Sequence, residues 1–399
     1  MKRTRIFFVI AATSLLLASC SYKSEPCGEI GAGAYYGEST GSGDGQAQAG
    51  VVTAGEWRDL DNWDFWSNLM LNKQSDQEGA DFTGCSDYWG FYTNNRVAVT
   101  VTDGTGAGQK DVPIQLVYKS DGSSRVLYEA RTDNTGRTNL WVGLTQKQQD
   151  IDTTALVLIV NGVQQKQAVS VTHWGEKVKW NQCSASTSRT ADIDIAFIVD
   201  ATGSMSDEIA FLKADLTHII NSVGADHSEA GIRTAAVFYR DEGDKYVTRA
   251  NNFSTDLSVT TDFISKQSAD GGGDYPEAVH KALEAGLQKL SWRDESSIRL
   301  AFMLLDAPPH HEDKIIADLQ QLIPQYAKKG IRIIPIAASG VDKDTEFFLR
   351  FAAIATDGTY VFITNDSGVG NDHIAASVGE YQVEKLSDLI VRIINQYLL

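Results

Sequence analysis

The pattern of apolar and polar positions separates a long C-terminal part of the chain from everything before it. In this part, runs of apolar residues typical of buried strands alternate with helical patterns up to Leu399. The strand runs lie at 193–199, 233–239, 299–305, 331–338 and 359–363, and the helical stretches at 206–223, 276–290, 311–329, 344–355 and 384–397. The alternation predicts an α/β domain over 190–399, with a doubly wound, mostly parallel sheet whose ligands bind where strand ends meet helix starts.

Before this domain the pattern changes to a period of two. Short alternating runs between Arg96 and Trp180 are separated by turn signals such as DGTGAG, SDGSS and DNTG. They predict an antiparallel β-sandwich over 93–182. The phrases VTVTDGTGAGQKDVPIQL and ARTDNTGRTNLWV resemble immunoglobulin-like or transthyretin-like spacer domains of bacterial surface proteins. That resemblance implies a spacer, with direct binding as the alternative.

The segment 56–92 is short, acidic and rich in tryptophan. It contains four of the eight tryptophans of the chain, Trp57, Trp63, Trp66 and Trp89. Indole rings bury a large area, so we expect a collar that packs against the next domain. Stacking on carbohydrate is the alternative.

The first nineteen residues are typical of an export signal. A basic start is followed by an apolar stretch from Ile6 to Leu17, which is too short to span a bilayer. The sequence Leu17-Ala18-Ser19-Cys20 resembles the lipobox of bacterial lipoproteins, which implies a lipidated Cys20 as the membrane anchor. Residues 20–55, rich in Gly, Ser, Ala and Gln, are predicted to be a flexible tether. The expected location is the bacterial cell envelope, and similarity to enteric lipoproteins, in Ser21 rather than Asp after the cysteine, implies the outer membrane.

The net charge restricts the classes of partner that the protein can bind. A formal net charge of -17 disfavours nucleic acid and anionic membrane surfaces and favours divalent metals or cationic groups.

Cys27, Cys85 and Cys183 remain after the anchor, in a compartment that permits disulfides. Their connectivity stays open, with Cys85 and Cys183 as the favoured pair, and their spacing does not suggest a zinc site.

Three loops at predicted strand ends carry oxygen ligands. Asp200, Thr202 and Ser204 follow the first strand directly and precede a helix. Asp274 ends a run of three glycines before another helix, and Asp306 follows the apolar strand 299–305. Carboxylates and hydroxyls of this kind suit Mg²⁺, Ca²⁺ or Mn²⁺, whereas a single Asp at such a place is usually a helix cap or a turn residue.

Together these loops resemble the metal-ion-dependent adhesion site of von Willebrand factor A domains, in family order and approximate spacing. The resemblance implies one divalent cation, most favourably Mg²⁺, held by Asp200, Thr202, Ser204, Asp274 and Asp306. Asp274 stands where many members have Thr, and a second carboxylate would weaken capture of a partner's acidic group. The phrases GGGDYPEAV and LLDAPPHH resemble a subgroup found in bacterial proteins and some atypical kinases, although too few residues remain here for a kinase domain.

Charged residues beside these loops are expected to be solvated rather than metal ligands. Arg240, Asp241, Glu242 and Asp244 are interpreted as an exposed turn, and His310 and His311 as exposed or capping residues.

The functional expectation is metal-dependent binding of a protein at the envelope, or of a glycan. The loop Thr202-Gly203-Ser204-Met205 lacks the GxSxG nucleophile elbow, and the chain has no HExxH or GxxxxGK[ST] motif, so we do not expect an enzyme. The alternatives are a scaffold whose metal only stabilises the fold and, less favoured, a metal-dependent hydrolase.

Overall fold

The computed structural model describes residues 50–73, 82–120, 122–147, 152–187, 192–227, 230–294, 298–338, 340–367 and 375–398. The predicted signal peptide, Cys20, Cys27 and most of the predicted tether lie outside the described residues.

The described chain forms fifteen strands and eight α-helices. In chain order the strands are β1 (Thr53–Trp57), β2 (Arg96–Thr102), β3 (Pro113–Ser120), β4 (Ser123–Arg131), β5 (Arg137–Trp141), β6 (Leu156–Val160), β7 (Val163–Gln164), β8 (Trp180–Ser184), β9 (Ile193–Asp200), β10 (Ile232–Tyr239), β11 (Thr248–Ser254), β12 (Ile298–Leu305), β13 (Ile331–Ala337), β14 (Tyr360–Ile363) and β15 (Glu384–Lys385). The helices are α1 (Trp63–Met70), α2 (Cys85–Trp89), α3 (Ser206–Asp226), α4 (Leu257–Ser265), α5 (Val279–Gln288), α6 (Asp313–Lys328), α7 (Lys343–Ala355) and α8 (Leu386–Leu398).

A mixed sheet of eight strands forms the centre of the C-terminal part. Its order is β11-β10-β9-β12-β13-β14-β1-β15, and the five strands from β10 to β14 in this order run parallel. Every residue of β9 and β12 is buried, because helices cover both faces of the sheet. Helices α3 and α8 pack on one face, and α5, α6 and α7 pack on the other. The predicted α/β fold with a doubly wound, mostly parallel sheet is confirmed.

The strand β1 comes from the far end of the described sequence. It pairs antiparallel with β14, Ala54 opposite Ile363, and with β15. The prediction placed 53–55 in the tether, and that boundary is wrong, because these residues form backbone ladders and Ala54 is fully buried. From β1 the described chain therefore leaves the large sheet for a separate β-rich region and later returns to the sheet.

The β-rich region consists of two small sheets. One has the order β5-β2-β8 and the other the order β4-β3-β6-β7. All pairs in these sheets are antiparallel except β2 with β8, which run parallel, so the purely antiparallel prediction is corrected at this pair. A long connection from β7 to β8 permits this arrangement, since parallel neighbours need a crossover rather than a tight turn.

The tryptophan-rich segment lies between the two regions. Trp66 stacks on Phe347 of α7 with ring centroids 5.9 Å apart, and Trp63 lies 5.9 Å from Trp141 of β5. Trp89 packs against the same helix α7. All four tryptophans of the segment are buried, so their rings contact protein and offer no open platform to a sugar.

Buried charged groups link the β-rich region and this segment to the large sheet. Asp59 and Arg350 form an ion pair in which both side chains are almost fully buried. Asp111 pairs with Arg299 at 2.9 Å. Asp357, just after α7, accepts hydrogen bonds from the side chain of Thr138 and from the backbone and side chain of Asn139. Since isolated buried charges are costly, these pairs fix how the two regions dock.

The favoured disulfide is wrong. Cys85 is disulfide-bonded, whereas Cys183 is a free, buried cysteine. The two residues lie in different surroundings: Cys85 begins α2, which packs on α7, while the Cys183 sulfur in β8 contacts the Gln167 side chain at 3.5 Å. Burial raises the pKa of the Cys183 thiol, as expected for a structural cysteine.

Each helix in the described ranges is too short or too polar to cross a lipid bilayer.

We expect Asp59→Ala to destabilise the protein by about 3–5 kcal/mol, because it leaves the buried Arg350 guanidinium short of a partner. The control is Asp61→Ala, which removes an exposed ion pair with Arg58 and should cost less than about 1 kcal/mol. Urea unfolding measures both. Equal losses in the two variants would contradict the role given to the buried pair.

Candidate metal centre

The loop after β9 brings together the three side chains predicted to open the site. The Asp200 Oδ1 atom accepts hydrogen bonds from the Thr202 backbone N–H at 2.9 Å and from its hydroxyl at 2.7 Å. The Ser204 hydroxyl lies 3.2 Å from that of Thr202. Asp200 and Thr202 are fully buried and Ser204 is exposed. The loop therefore presents a buried carboxylate and two hydroxyls, and one of these hydroxyls reaches the surface.

Asp306 lies beside this loop because β12 and β9 are parallel neighbours. Leu304 pairs with Val199, so the residues after the two strands meet at the same edge of the sheet. Burial raises the pKa of Asp200, and the negative charge of Asp306 raises it further. Two carboxylates so placed favour a proton or a cation.

Glu277 is a third buried carboxylate at this edge, and the sequence reasoning did not assign it to the site. Its backbone N–H donates to the Pro308 carbonyl at 2.9 Å, which holds it against the loop after β12. Burial, followed by the charges of Asp200, Asp241 and Asp306, raises the pKa of Glu277 to about 10. The signal was present in the sequence, because Glu277 follows Asp274 within the same GGGDYPE phrase.

Several polar atoms in the centre lack ordinary partners. Asp200 Oδ2, Glu277 Oε2 and the Tyr239 hydroxyl are buried without a hydrogen bond of standard geometry among the described residues, although the Tyr239 hydroxyl faces the Asp200 carboxylate. Unpaired buried carboxylate oxygens are costly. An oxygen-only set of this kind fits a hard divalent cation, which would bind the free lone pairs and neutralise the converging charge.

The glycine loop before α5 is held closely against the Thr202 loop. Gly271 and Gly272 have positive φ angles of 84° and 73°, a region that favours glycine. The Gly203 backbone N–H donates to the Gly271 carbonyl at 3.0 Å, and the Gly272 N–H donates to Asp244 Oδ2 at 2.9 Å. A Cβ on Gly271 would lie 2.4 Å from the Asp244 carboxylate oxygens, so the contact requires glycine.

Asp274 lies at the end of this loop and is exposed. It was expected to join the Asp200 shell. The structure places one of its oxygens in a group with a ligand atom of Asp241 and one of His310, all within 4.8 Å of one another.

The charged turn after β10 is less solvated than expected. Asp241 is 8% exposed and Arg240 4% exposed. The Arg240 guanidinium donates to the Ser268 carbonyl at 2.9 Å and lies over the Tyr246 ring, which explains its burial. The expectation of an exposed turn is thus wrong for these two residues and holds for Glu242, which is exposed.

The two histidines have separate environments. His310 Nε2 lies 2.7 Å from Asp241 Oδ1. His311 Nε2 lies 2.7 Å from the Tyr88 carbonyl, and its ring stacks on the Tyr88 ring. His311 therefore joins the tryptophan-rich segment to the large sheet, whereas His310 faces the centre.

Comparison with known proteins agrees with this geometry, since residues 194–362 match the family described as von Willebrand factor A domain. These residues form a von Willebrand factor A domain. Domains of this family commonly bind a divalent cation and commonly mediate metal-dependent protein interactions.

Two curated relatives match parts of the chain. One is a putative ariadne-like RING finger protein of Acanthamoeba polyphaga mimivirus, 27% identical over 44% of this chain. The other is the alpha-protein kinase vwkA of Dictyostelium discoideum, 32% identical over 30% of this chain. The chain covers 19% of the length of each relative, so the likeness is to a part of each protein.

Two solved structures also resemble part of this chain, each with a TM-score of 0.34. Proximal thread matrix protein 1 from the mussel byssus is 16% identical and aligns over 52% of this chain and 46% of its own. An aerotolerance-related membrane protein from Bacteroides fragilis is 13% identical and aligns over 52% of this chain and 98% of its own.

We expect Glu277→Gln to stabilise the metal-free protein at pH 7 by roughly 1–3 kcal/mol. A raised carboxyl pKa in the folded state costs stability at every pH above the pKa of the unfolded chain, and glutamine removes that cost. The same variant should lose most of the rise in melting temperature that Mg²⁺ gives the wild type, because it removes a negative charge from the centre.

Thermal unfolding with and without Mg²⁺ measures both effects, with Glu380→Gln at an exposed position as the matched control. A Glu277→Gln variant that is less stable without metal, and that keeps the full stabilisation by Mg²⁺, would contradict the assignment of Glu277 to the centre.

Proposed function

We propose that this protein binds a partner protein at the bacterial cell envelope through a divalent cation held at the strand ends of its von Willebrand factor A domain. Asp200, Thr202, Ser204 and Asp306 hold the cation, and Glu277 adds a carboxylate that the family pattern did not point to. The observation that carries the proposal is that the buried carboxylate oxygens Asp200 Oδ2 and Glu277 Oε2 have no hydrogen bond of standard geometry among the described residues, beside the hydroxyls of Thr202 and Ser204.

The expected cation is Mg²⁺, with Ca²⁺ and Mn²⁺ as the alternatives, because the shell is made of oxygen atoms. When bound, the cation places a positive charge beside the exposed Ser204 side chain. The chain carries a formal net charge of -17, so an acidic group of a partner would be repelled by the bare surface. A cation at this point offsets most of the local negative charge and offers a coordination position, so binding of an acidic protein side chain would depend on metal, although the additional carboxylate of Glu277 weakens it.

The location of the protein forms part of the proposal. We infer from the sequence Leu17-Ala18-Ser19-Cys20 that the chain is exported and lipidated at Cys20, and that it is held at the outer membrane. The β-rich region then acts as a rigid mount for the metal-binding domain. The buried pair of Asp111 and Arg299 supports a fixed docking of the two regions.

The proposal is of a binding protein rather than an enzyme. The sequence has no motif that pairs a nucleophile with a base. The remaining candidate is a scaffold in which the metal only stabilises the fold. Contacts would then run through other surfaces, so removal of the metal would lower stability and leave partner binding unchanged.

We expect metal-stripped protein to bind about one equivalent of Mg²⁺, Ca²⁺ or Mn²⁺ at the strand ends, and Asp200→Ala to lose that binding, because Asp200 is the buried carboxylate at the centre of the loop. Isothermal titration calorimetry measures both. Asp262→Ala, at an exposed position of α4, is the matched control.

The functional readout is a pull-down with immobilised protein. In Mg²⁺ the wild type should capture an envelope protein, and a chelator should release that partner. The Asp200→Ala variant should capture no partner. Unchanged metal affinity in Asp200→Ala would refute the site. A partner that stays bound in chelator would favour the scaffold instead.

A further inference from the structure

A second set of ligand atoms lies beside the first site. Asp241 comes from the loop after β10, Asp274 from the glycine loop, and His310 from the loop after β12, and one ligand atom of each lies within 4.8 Å of the others. Tetrahedral donors that share one zinc-type ion at about 2.0–2.2 Å lie roughly 3.3–3.6 Å from one another. Three loops distant in sequence thus place two carboxylate oxygens and one imidazole nitrogen near one point, and small side-chain movements would bring them to coordination distance.

Glu277 provides an independent indication that a cation belongs here. The residue is 3% exposed, and its Oε2 atom is buried with no hydrogen-bond partner among the described residues. Its carboxylate interacts with the charges of Asp241 and Asp244 as well as with those of Asp200 and Asp306. Its Oε1 atom would lie 2.9 Å from a Cβ on Gly272, and its backbone N–H donates to the Pro308 carbonyl at 2.9 Å, two residues before His310. Glu277 therefore lies close to the loops that carry Asp274 and His310, and a cation there would offset its charge.

We propose that Asp241, Asp274 and His310 form a second metal site, for a borderline divalent cation such as Zn²⁺, next to the Asp200 site. The donor set decides the class of ion. Mg²⁺ and Ca²⁺ prefer oxygen ligands, whereas an imidazole nitrogen with two carboxylates suits Zn²⁺ and similar transition metals.

This site gives Asp274 a role that its position in the family pattern did not explain. The second cation neutralises the additional carboxylates around the first site. Asp241 is buried, His310 is half-buried and Asp274 is exposed. The ion would therefore bind Asp241 on its buried side and be accessible to solvent on the side of Asp274. Three protein ligands leave a fourth tetrahedral position open for water or for a group of a partner.

The test is calorimetric titration of Zn²⁺ into untagged, metal-stripped protein kept in saturating Mg²⁺. The wild type should bind one equivalent of Zn²⁺. His310→Ala and Asp274→Asn should each bind Zn²⁺ at least about ten-fold more weakly, because each loses a direct ligand. Asp274 is exposed, so its variant remains informative if His310→Ala fails to fold. His218→Ala, which removes an exposed histidine on α3, should bind like the wild type.

The experiment also separates the second site from the first. Asp200→Ala should lose Mg²⁺ binding and keep its Zn²⁺, while His310→Ala should keep its Mg²⁺. Equal Zn²⁺ affinity in wild type, His310→Ala and Asp274→Asn would overturn the second site. So would competition of Mg²⁺ with Zn²⁺ for one equivalent, or loss of both metals in Asp200→Ala, because either result means a single shared site.

Discussion

Repulsion between buried carboxylates at one edge of the large sheet is the constraint on which the rest of this structure depends. Asp200, Glu277 and Asp306 bring carboxylates together where burial keeps water from screening them. Without a cation, the folded protein reduces this repulsion by keeping carboxyl groups protonated, as the raised pKa of Glu277 reflects. A divalent cation would remove that cost, so the metal binding that we propose would be thermodynamically coupled to the stability of this sheet edge.

The sheet is built to hold that edge rigidly. Buried parallel strands β9 and β12 fix the positions of the two aspartates, and β1 extends the other side of the sheet between β14 and β15. The Asp59–Arg350 pair then locks the tryptophan-rich segment onto α7. The candidate metal site lies on rigid elements, and buried charges dock the β-rich region, an arrangement that would suit the proposed role of presenting one binding surface in a constant orientation.

The sequence allowed part of this to be predicted, for identifiable reasons. The strands β9 and β12 are continuous apolar runs because both of their faces are covered, and Asp200 and Asp306 follow them directly. In contrast, β11 is an edge strand with a polar, largely exposed sequence and gives no such signal. The strand β1 is short and follows a glycine-rich stretch, and its partner β14 lies about 300 residues away, so no local pattern predicts the pairing.

The candidate site, like the fold, could be predicted from the sequence only in part. Residues at strand ends could be assigned, but groups brought together by loop packing could not. Glu277 follows Pro276 and resembles a first-turn helix residue, and Asp241 resembles a solvated turn residue in sequence. Their approach depends on the glycine loop that packs on the Thr202 loop, through the bond from Gly203 to Gly271. Such contacts become visible only in three dimensions.

The most direct test of the central claim is a crystal structure of the protein grown with Mn²⁺, with anomalous scattering recorded to locate the ion. We expect a manganese peak bounded by the Asp200 carboxylate, the Thr202 and Ser204 hydroxyls and the Asp306 carboxylate. An ordered centre with no peak, while manganese occupies other positions in the same crystal, would contradict it.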